Sequence, residues 1–568
     1  MNERIEGNEI CVESVYGQGD AQLACMHGSY YDRRRGTWRM PLTLRNMLEV
    51  GKRPDFDCSP EWEEKRAELD DKLGALALAS AGADLHGPMP VRGVRPWPHQ
   101  MKAYNMALEQ MRGGGGFGLL FDMGTGKTIT AVGIAGKLFK EGSVKRVLVM
   151  APSSVLPEWE KALDRYADFP YWYKECTGTP AKRAEHLRSL WTASEEVQTC
   201  AFAIINYESA WRTDEAIMAF RPDLVICDES QRIKSHTAKQ SKFAHKVGRK
   251  ARYRLILSGT PLQNSPLDFF SQYLFLDPTV FGTKWYGFKA RYAVEQNGYN
   301  GFTGQQYKRI VAYRNLEELT EKVHSVALRV ENGVIDLPAE LPPVIRYAEL
   351  SREERRIYEE LRDESIAELG DGGEVVVPNA LAKLLRLQQI TSGFTVDEEG
   401  NEVVVGDAKA KLFAEVVDDV VVEQGEKMVV FFRFIKDMKA IEKVLKEKGV
   451  GYVSLYGGTK QADRAAVVDS FVNDDGARVF VGQLQASGTG IDGLQRAAHT
   501  AVFYSNSFNA ADYEQAKARI NRSGQVKSCV FMHLVCRGTV DERILEALSE
   551  KKSMSELIVN RGAKEVLS

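Results

Sequence analysis

The sequence predicts an α/β protein: two lobes of parallel sheet flanked by helices, helical insertions between them, and a small α+β unit in front. Three observations predict it. At 568 residues the chain exceeds one ordinary domain, and length alone points to roughly three or four. Two separate series of short Val/Ile/Leu/Phe runs each alternate with helical stretches, the pattern of parallel α/β layering. Between the two series lies a longer stretch of charged helical sequence punctuated by prolines.

Residues 1–85 read as a unit of their own. Tyr30-Tyr-Asp-Arg-Arg-Arg-Gly-Thr-Trp-Arg-Met-Pro-Leu42 interleaves four arginines with three aromatics. Arg33, Arg34 and Arg35 followed by Gly36 predict a hairpin tip, and Trp38, Met40 and Leu42 alternate as a strand would. Arginines beside aromatic faces suit phosphate contact combined with base stacking, and a solvated basic turn on a small β-unit fits equally well. Glu61–Ala79 predicts a helical connector. The first apolar series is Phe117–Met123, Arg146–Pro152, Phe202–Tyr207, Leu224–Glu229 and Arg254–Ser258. Residues 267–425 form the charged region, with helices over Ser351–Leu369 and Asn379–Gln389. The second series is Met428–Phe434, Tyr452–Tyr456, Arg478–Val481, Ala501–Ser505 and Cys529–Leu534. An amphipathic helix over Thr539–Val559, with Ile544, Leu545, Leu548 and Leu557 on one face, should brace a lobe.

Composition narrows the classes. Hydrophobic residues make up 44% and charged residues 27%, as in soluble globular proteins. With a net charge of −3 there is no basic overall field, so nucleic-acid binding must come from local patches. The eight cysteines include no C-x-x-C pair, and Cys529, His533 and Cys536 lack a fourth ligand, so no zinc site is expected. Met1–Cys11 does not read as a signal peptide, and no apolar run approaches the ~18 residues of a membrane span, so a cytoplasmic location is expected.

Chemistry concentrates at the ends of the predicted strands. Phe121-Asp-Met-Gly-Thr-Gly-Lys-Thr128 follows an apolar strand and precedes a helix-forming stretch. Gly124, Thr125 and Gly126 form a tight turn whose N–H groups can cradle phosphate, with the helix N-terminus behind them. Lys127 supplies charge to the β- and γ-phosphates, and Thr128 a hydroxyl for Mg²⁺. Phe121 stands where the general phosphate-loop pattern has its first glycine. Downstream, Leu224-Val-Ile-Cys-Asp-Glu-Ser-Gln231 ends an apolar strand in two carboxylates: Asp228 for Mg²⁺ through its water shell, Glu229 to orient and deprotonate water. In the second series Gln515, Arg519 and Arg522 stand at helical spacing, which predicts one shared face and two arginines aimed at a γ-phosphate.

Together these residues resemble the Swi/Snf-type ATPases of helicase superfamily two, the DEAD/DEAH-like group. Pro98-His-Gln100 resembles the adenine-reading glutamine motif, and Gly124–Thr128 is similar to motif I. Ala151-Pro-Ser153 with Trp159 resembles motif Ia, Asn206-Tyr-Glu208 motif Ib, and Asp228–Gln231 motif II. Ser258-Gly-Thr-Pro-Leu-Gln-Asn264 is similar to motif III. Leu384–Ile390, Val429–Phe434 and Gly457-Gly-Thr459 with Arg464 resemble the elements that open the second lobe. Gly488–Gln495 resembles motif V, and Gln515–Gln525 motif VI. Gln231 replaces a histidine common at that place, and motif V reads Gly-Ile-Asp-Gly-Leu-Gln where Asn-Leu is commoner.

The resemblance implies two RecA-like lobes, residues 86–275 and 426–538. Residues 276–425 would be protrusions and linker including the start of the second lobe, and 539–568 the brace. It implies ATP and Mg²⁺ as cofactors, with Gln100, Asp492 and Gln515 on the nucleotide side. It also implies DNA as partner, with Ser153, Ser258 and Thr260 along the nucleic-acid side and Arg33–Arg35 as a second contact. The N-terminal Tyr-Asp…Trp…Leu wording is similar to the HARP-type domain of fork-remodelling members. The expected activity is an ATP-dependent DNA translocase or helicase in replication, recombination or repair. A strand-separating helicase, the motor subunit of a restriction or defence complex, and a non-catalytic DNA-binding scaffold stay open as alternatives. The compact size is expected of a bacterial or phage member.

Overall fold

The computed structural model describes residues 3–549 except 8, 27–28, 54–55, 57, 260, 262–264, 300–305, 332–337, 339, 371–376, 397–401, 488–490 and 523. Two parallel sheets carry the chain. The first has seven strands, in the spatial order Ala327–Val330, Gly115–Phe121, Tyr253–Leu257, Leu224–Asp228, Arg146–Ala151, Cys200–Asn206 and Tyr171–Glu175. The second has six: Val344–Ala348, Val530–Cys536, Thr500–Phe503, Met428–Phe432, Val479–Gln483 and Tyr452–Leu455. Leu224–Asp228 and Met428–Phe432 are buried at every position. That is why they read as continuous apolar runs rather than alternating ones: helices cover both faces of a parallel sheet. Each lobe accordingly has two apolar cores, one per face. Crossover helices return the chain so that every strand ends on the same side, where such sheets bind ligands.

All ten predicted strands are present, each within a few residues of its expected bounds. The region read as helical between the lobes is where the structure departs. Ala327–Val330 returns to the first sheet and pairs in parallel with Gly115–Phe121, so lobe 1 runs to Val330 rather than residue 275. Within that insertion Ala293–Tyr299 and Gln306–Tyr313 pair as an antiparallel hairpin. Val344–Ala348 pairs in parallel with Val530–Cys536, so the second sheet draws a strand from within residues 276–425. The helices Arg352–Gly370 and Val377–Thr391 pack against it: Tyr358, Leu384 and Leu387 lie in its core, and the Tyr358 hydroxyl accepts from Val540 N at 2.8 Å. Helix Val540–Ser549 buries Ile544 and Leu548 in the same core; the predicted continuation, with Leu557, lies outside the described residues.

The front unit is a four-stranded antiparallel sheet, in the order Glu3–Glu6, Glu9–Val12, Thr37–Pro41 and Tyr30–Asp32, backed by helices Leu44–Gly51 and Pro60–Ser80. Thr43 and Ser59 cap the two helices by accepting from Asn46 N and Trp62 N, both at 3.2 Å, each cap worth about 1 kcal/mol. Ile10, Val12, Trp38, Met40 and Trp62 make its core. The basic stretch is the predicted hairpin tip, closed by Gly36 N donating to Asp32 O at 2.8 Å, with Gly36 in the left-handed region. The long helix leans on lobe 1, where Arg112 donates to Asp71 at 2.6 Å. No helix among the described residues is long and apolar enough to cross a membrane.

Candidate active site

The phosphate loop leaves strand Gly115–Phe121 and enters helix Lys127–Lys140. Gly124 and Gly126 hold φ of +80° and +90°, which side-chain-bearing residues rarely adopt. At Gly126 space forbids anything larger as well, since a Cβ there would lie 2.0 Å from Gln100 Nε2. Gln100 is buried behind the loop; it donates to Thr125 O at 3.1 Å and accepts from Trp97 N at 2.9 Å. His99 Nε2 meets the same Thr125 carbonyl at 2.8 Å. The glutamine expected to read adenine thus shapes the loop from behind. Thr128 is the second residue of the helix, immediately after Lys127. The Lys127 ammonium reaches back to Phe121 O at 2.9 Å and Asp122 O at 3.3 Å. Burial lowers its pKa, opposed by Glu229, Asp228 and Asp122, so the site holds a cation among anions.

The acidic pair faces it. Asp228 ends strand Leu224–Asp228; its Oδ2 accepts from Trp159 Nε1 at 2.9 Å and its Oδ1 from Glu229 N at 2.9 Å. Burial pushes its carboxyl up to about 6 and Glu229 adds to the rise, while Trp159 and Lys127 pull it down. A buried carboxylate so raised is a fitting ligand for a divalent cation, which would repay its desolvation. Glu229 has φ +49°, a left-handed backbone costing a non-glycine residue on the order of 1–3 kcal/mol, the kind of strain found at working sites. Its Oε2 accepts from Gln231 Nε2 at 2.7 Å, and Gln231 Oε1 accepts from Ser258 Oγ at 2.8 Å. A second bridge runs alongside: Ser230 Oγ donates to Gln272 Oε1 at 2.6 Å, and Gln272 Nε2 to Pro261 O at 2.8 Å. Glu229 and its neighbour Ser230 are therefore tied to the segment after Leu257.

Lobe 2 supplies the arginines. Helix Ala510–Lys517 buries Gln515 but ends before Arg519 and Arg522, which stand in the following turns. The single helical face expected of the three residues is replaced by a helix end, yet both guanidinium groups turn to the cleft. Arg519 Nη1 donates to Ile491 O at 2.7 Å, and Arg522 Nη1 pairs with Asp492 at 3.2 Å. Burial and the neighbouring Arg522 bring Arg519 down to about 10, still cationic, with Glu229 of lobe 1 among the anions holding it up. Arg522 rests on the phosphate loop: a Cβ at Gly124 would lie 3.3 Å from Arg522 Cβ. Burial would raise the Asp492 carboxyl, but Arg522, Gln495 and Arg519 hold it below its usual range.

Of the residues expected along the nucleic-acid side, Ser153 is exposed just past strand Arg146–Ala151. Thr260 lies outside the described residues. Ser258 is a correction: it is wholly buried and bonded to Gln231, because the strand end turns its hydroxyl toward the acidic pair. Arg33, Arg34 and Arg35 are exposed on the hairpin, Arg35 pairing with Glu6 at 3.0 Å. Sequence reasoning missed the Trp159–Asp228 bond and the part Gln231 plays. It also missed Arg329, whose one sequence signal is an arginine inside the apolar run Ala-Leu-Arg-Val.

The comparisons with known proteins bear on this arrangement of glycine turn, acidic pair and arginines divided between two lobes. Residues 99–393 match the SNF2-related domain, and residues 408–524 the helicase conserved C-terminal domain. The chain belongs to the SNF2 family. DNA repair and recombination protein RAD54-like of Drosophila ananassae is 25% identical over 505 residues, 82% of this chain and 63% of the relative. An uncharacterized ATP-dependent helicase of Mycoplasma pneumoniae is 25% identical over 441 residues, 77% of this chain and 40% of that protein. The chain thus spans about 63% of the length of the RAD54-like relative and less of the bacterial one. Among solved structures, the Sulfolobus solfataricus SWI2/SNF2 ATPase core in complex with dsDNA matches at 22% identity. It covers 85% of this chain and 97% of its own, with a TM-score of 0.39. The SNF2 match begins at residue 99, beyond the front unit.

Proposed function

We propose that this SNF2 chain is an ATP-driven translocase on double-stranded or branched DNA, working in repair, recombination or replication. The observation that carries the reading is the split site: Lys127, Asp228 and Glu229 on lobe 1 face Arg519 and Arg522 on lobe 2. The naming of its RAD54-like relatives for DNA repair and recombination supports the DNA partner and the pathway class.

The residues divide the work. The loop N–H groups and Lys127 bind the β- and γ-phosphates of ATP. Thr128 and Asp228 would hold Mg²⁺, which would supply positive charge to offset that of those phosphates. Glu229, steadied by Gln231, orients a water in line with the γ-phosphate and takes its proton. Arg519 and Arg522 stabilise the charge that develops as the bond breaks, and they can do so only while lobe 2 is seated on lobe 1. Loss of the γ-phosphate removes the anion that both arginines share with Lys127, which favours parting of the lobes. Gln231–Ser258 and Ser230–Gln272 carry the same event to the segment around Thr260, our candidate with Ser153 for the DNA track. Contacts of that kind to the phosphate backbone carry no sequence information, so tracking is largely sequence-neutral.

The front unit adds a second grip through Arg33, Arg34 and Arg35, directed at forks or junctions. The test is ATP-driven displacement of a third strand from a duplex, together with regression of a model fork, in the full chain and its Arg33/Arg34/Arg35→Ala variant. The wild type should displace the third strand. The variant should keep that activity and lose about tenfold on the fork, as befits three lost phosphate contacts. No displacement by the wild type would refute translocation, and equal fork activity would refute the second grip.

A further inference from the structure

Strand Ala327–Val330, the last to join the first sheet, brings one guanidinium to the strand ends. Arg329 Nη1 donates to Leu120 O at 3.1 Å and to Gly259 O at 3.0 Å; Nη2 pairs with Asp122 Oδ1 at 2.5 Å. The backbone of the same strand takes hold of the same residue, Asp122 N donating to Val330 O at 2.8 Å. Asp122 opens the phosphate loop and is its hub. Its carbonyl accepts from Thr125 Oγ1 at 2.6 Å and from Lys127 Nζ at 3.3 Å. Gly259 closes the other side: a Cβ there would lie 3.3 Å from Phe121 O and 3.5 Å from Lys127 Nζ. One side chain thus ties the entry of the phosphate loop to the segment that follows strand Tyr253–Leu257. A planar fork can serve one carboxylate and two carbonyls together; an ammonium on a flexible stem has no such geometry.

We propose that Arg329 is a positioning residue for ATP hydrolysis: it clamps Asp122 and Gly259 so that the glycine turn and Lys127 keep the spacing a triphosphate requires. The strand bearing it is also the last of lobe 1 before the chain passes to lobe 2, so the clamp joins the nucleotide cradle to the connector between the lobes. The inference rests on the ATPase reading above.

Steady-state kinetics of the full chain with duplex DNA test it, using Arg329→Met, Arg329→Lys, Asp122→Asn and the double variant Arg329→Met/Asp122→Asn. A loop displaced by a fraction of an ångström should lower kcat/KM for ATP by about 10²-fold in Arg329→Met, and the lysine should restore less than about a tenth of the loss. Because Arg329 acts through Asp122, the double variant should cost no more than about threefold beyond the worse single one, where independent struts would multiply their losses. Asp122→Asn keeps the shape of a half-exposed residue, so it carries the test should Arg329→Met not fold. Wild-type kcat/KM, within about threefold, in Arg329→Met or in Asp122→Asn overturns the inference, as do multiplying losses. A wild-type chain that hydrolyses no ATP with any DNA refutes the ATPase reading instead.

Discussion

Lys127→Ala and Glu229→Gln should each reduce DNA-stimulated ATP hydrolysis by about 10³-fold or more, for different reasons that one binding measurement separates. Lys127 is the cation inside the cradle, bonded to Phe121 O and Asp122 O and facing both acids. Its loss removes phosphate binding and turnover together. Glu229 stands across from the loop, its carboxylate steadied by Gln231 at 2.7 Å. The glutamine variant keeps that shape but cannot accept a proton, so it should bind a fluorescent ATP analogue as tightly as the wild type and fail to turn it over. Turnover within tenfold of wild type in Glu229→Gln would place the base elsewhere.

Arg519→Ala and Arg522→Ala should each lower single-turnover hydrolysis by ~10³-fold with little change in ATP affinity, the signature of groups that act on developing charge. The two variants should then part company. Arg522 is the partner of Asp492 and lies against Gly124, so its loss also frees a carboxylate at the lobe interface. Arg519 bonds to the Ile491 carbonyl, so Arg519→Lys should recover little: a planar fork can hold that carbonyl and still offer donors to a phosphate, where a single ammonium cannot do both with the same geometry. Quench-flow hydrolysis beside equilibrium binding reads both. If ATP affinity fell as far as the rate did, the arginines would be ground-state ligands, and hydrolysis would not depend on lobe closure as argued.

How far the sequence could be read follows from what each residue needs as a neighbour. Strands such as Leu224–Asp228 are buried on both faces, and a solid apolar run states that locally. Lys127, Asp228 and Glu229 stand where strands end, beside turn residues that declare themselves. Ala327–Val330 and Val344–Ala348 are short, carry Arg and Tyr, and are strands only because Gly115–Phe121 and Val530–Cys536 offer them open edges. Strand propensity is mostly a matter of such partners. The supports of the site were hidden by distance in the chain: Trp159 and Asp228 are 69 residues apart, Arg329 and Asp122 207. Gln231, which differs from the histidine common in the family, proves to be the link from Glu229 to Ser258, a fact of geometry that no residue type announces.

On this mechanism DNA drives the split site. The most direct measurement is steady-state ATP hydrolysis by the full chain without DNA, then on blunt duplex, forked and single-stranded DNA, with Glu229→Gln as the baseline. Strong stimulation by duplex and fork, weak stimulation by single strands, and none in the variant are expected. Equal rates with and without duplex, or stimulation by single strands alone, would contradict that mechanism.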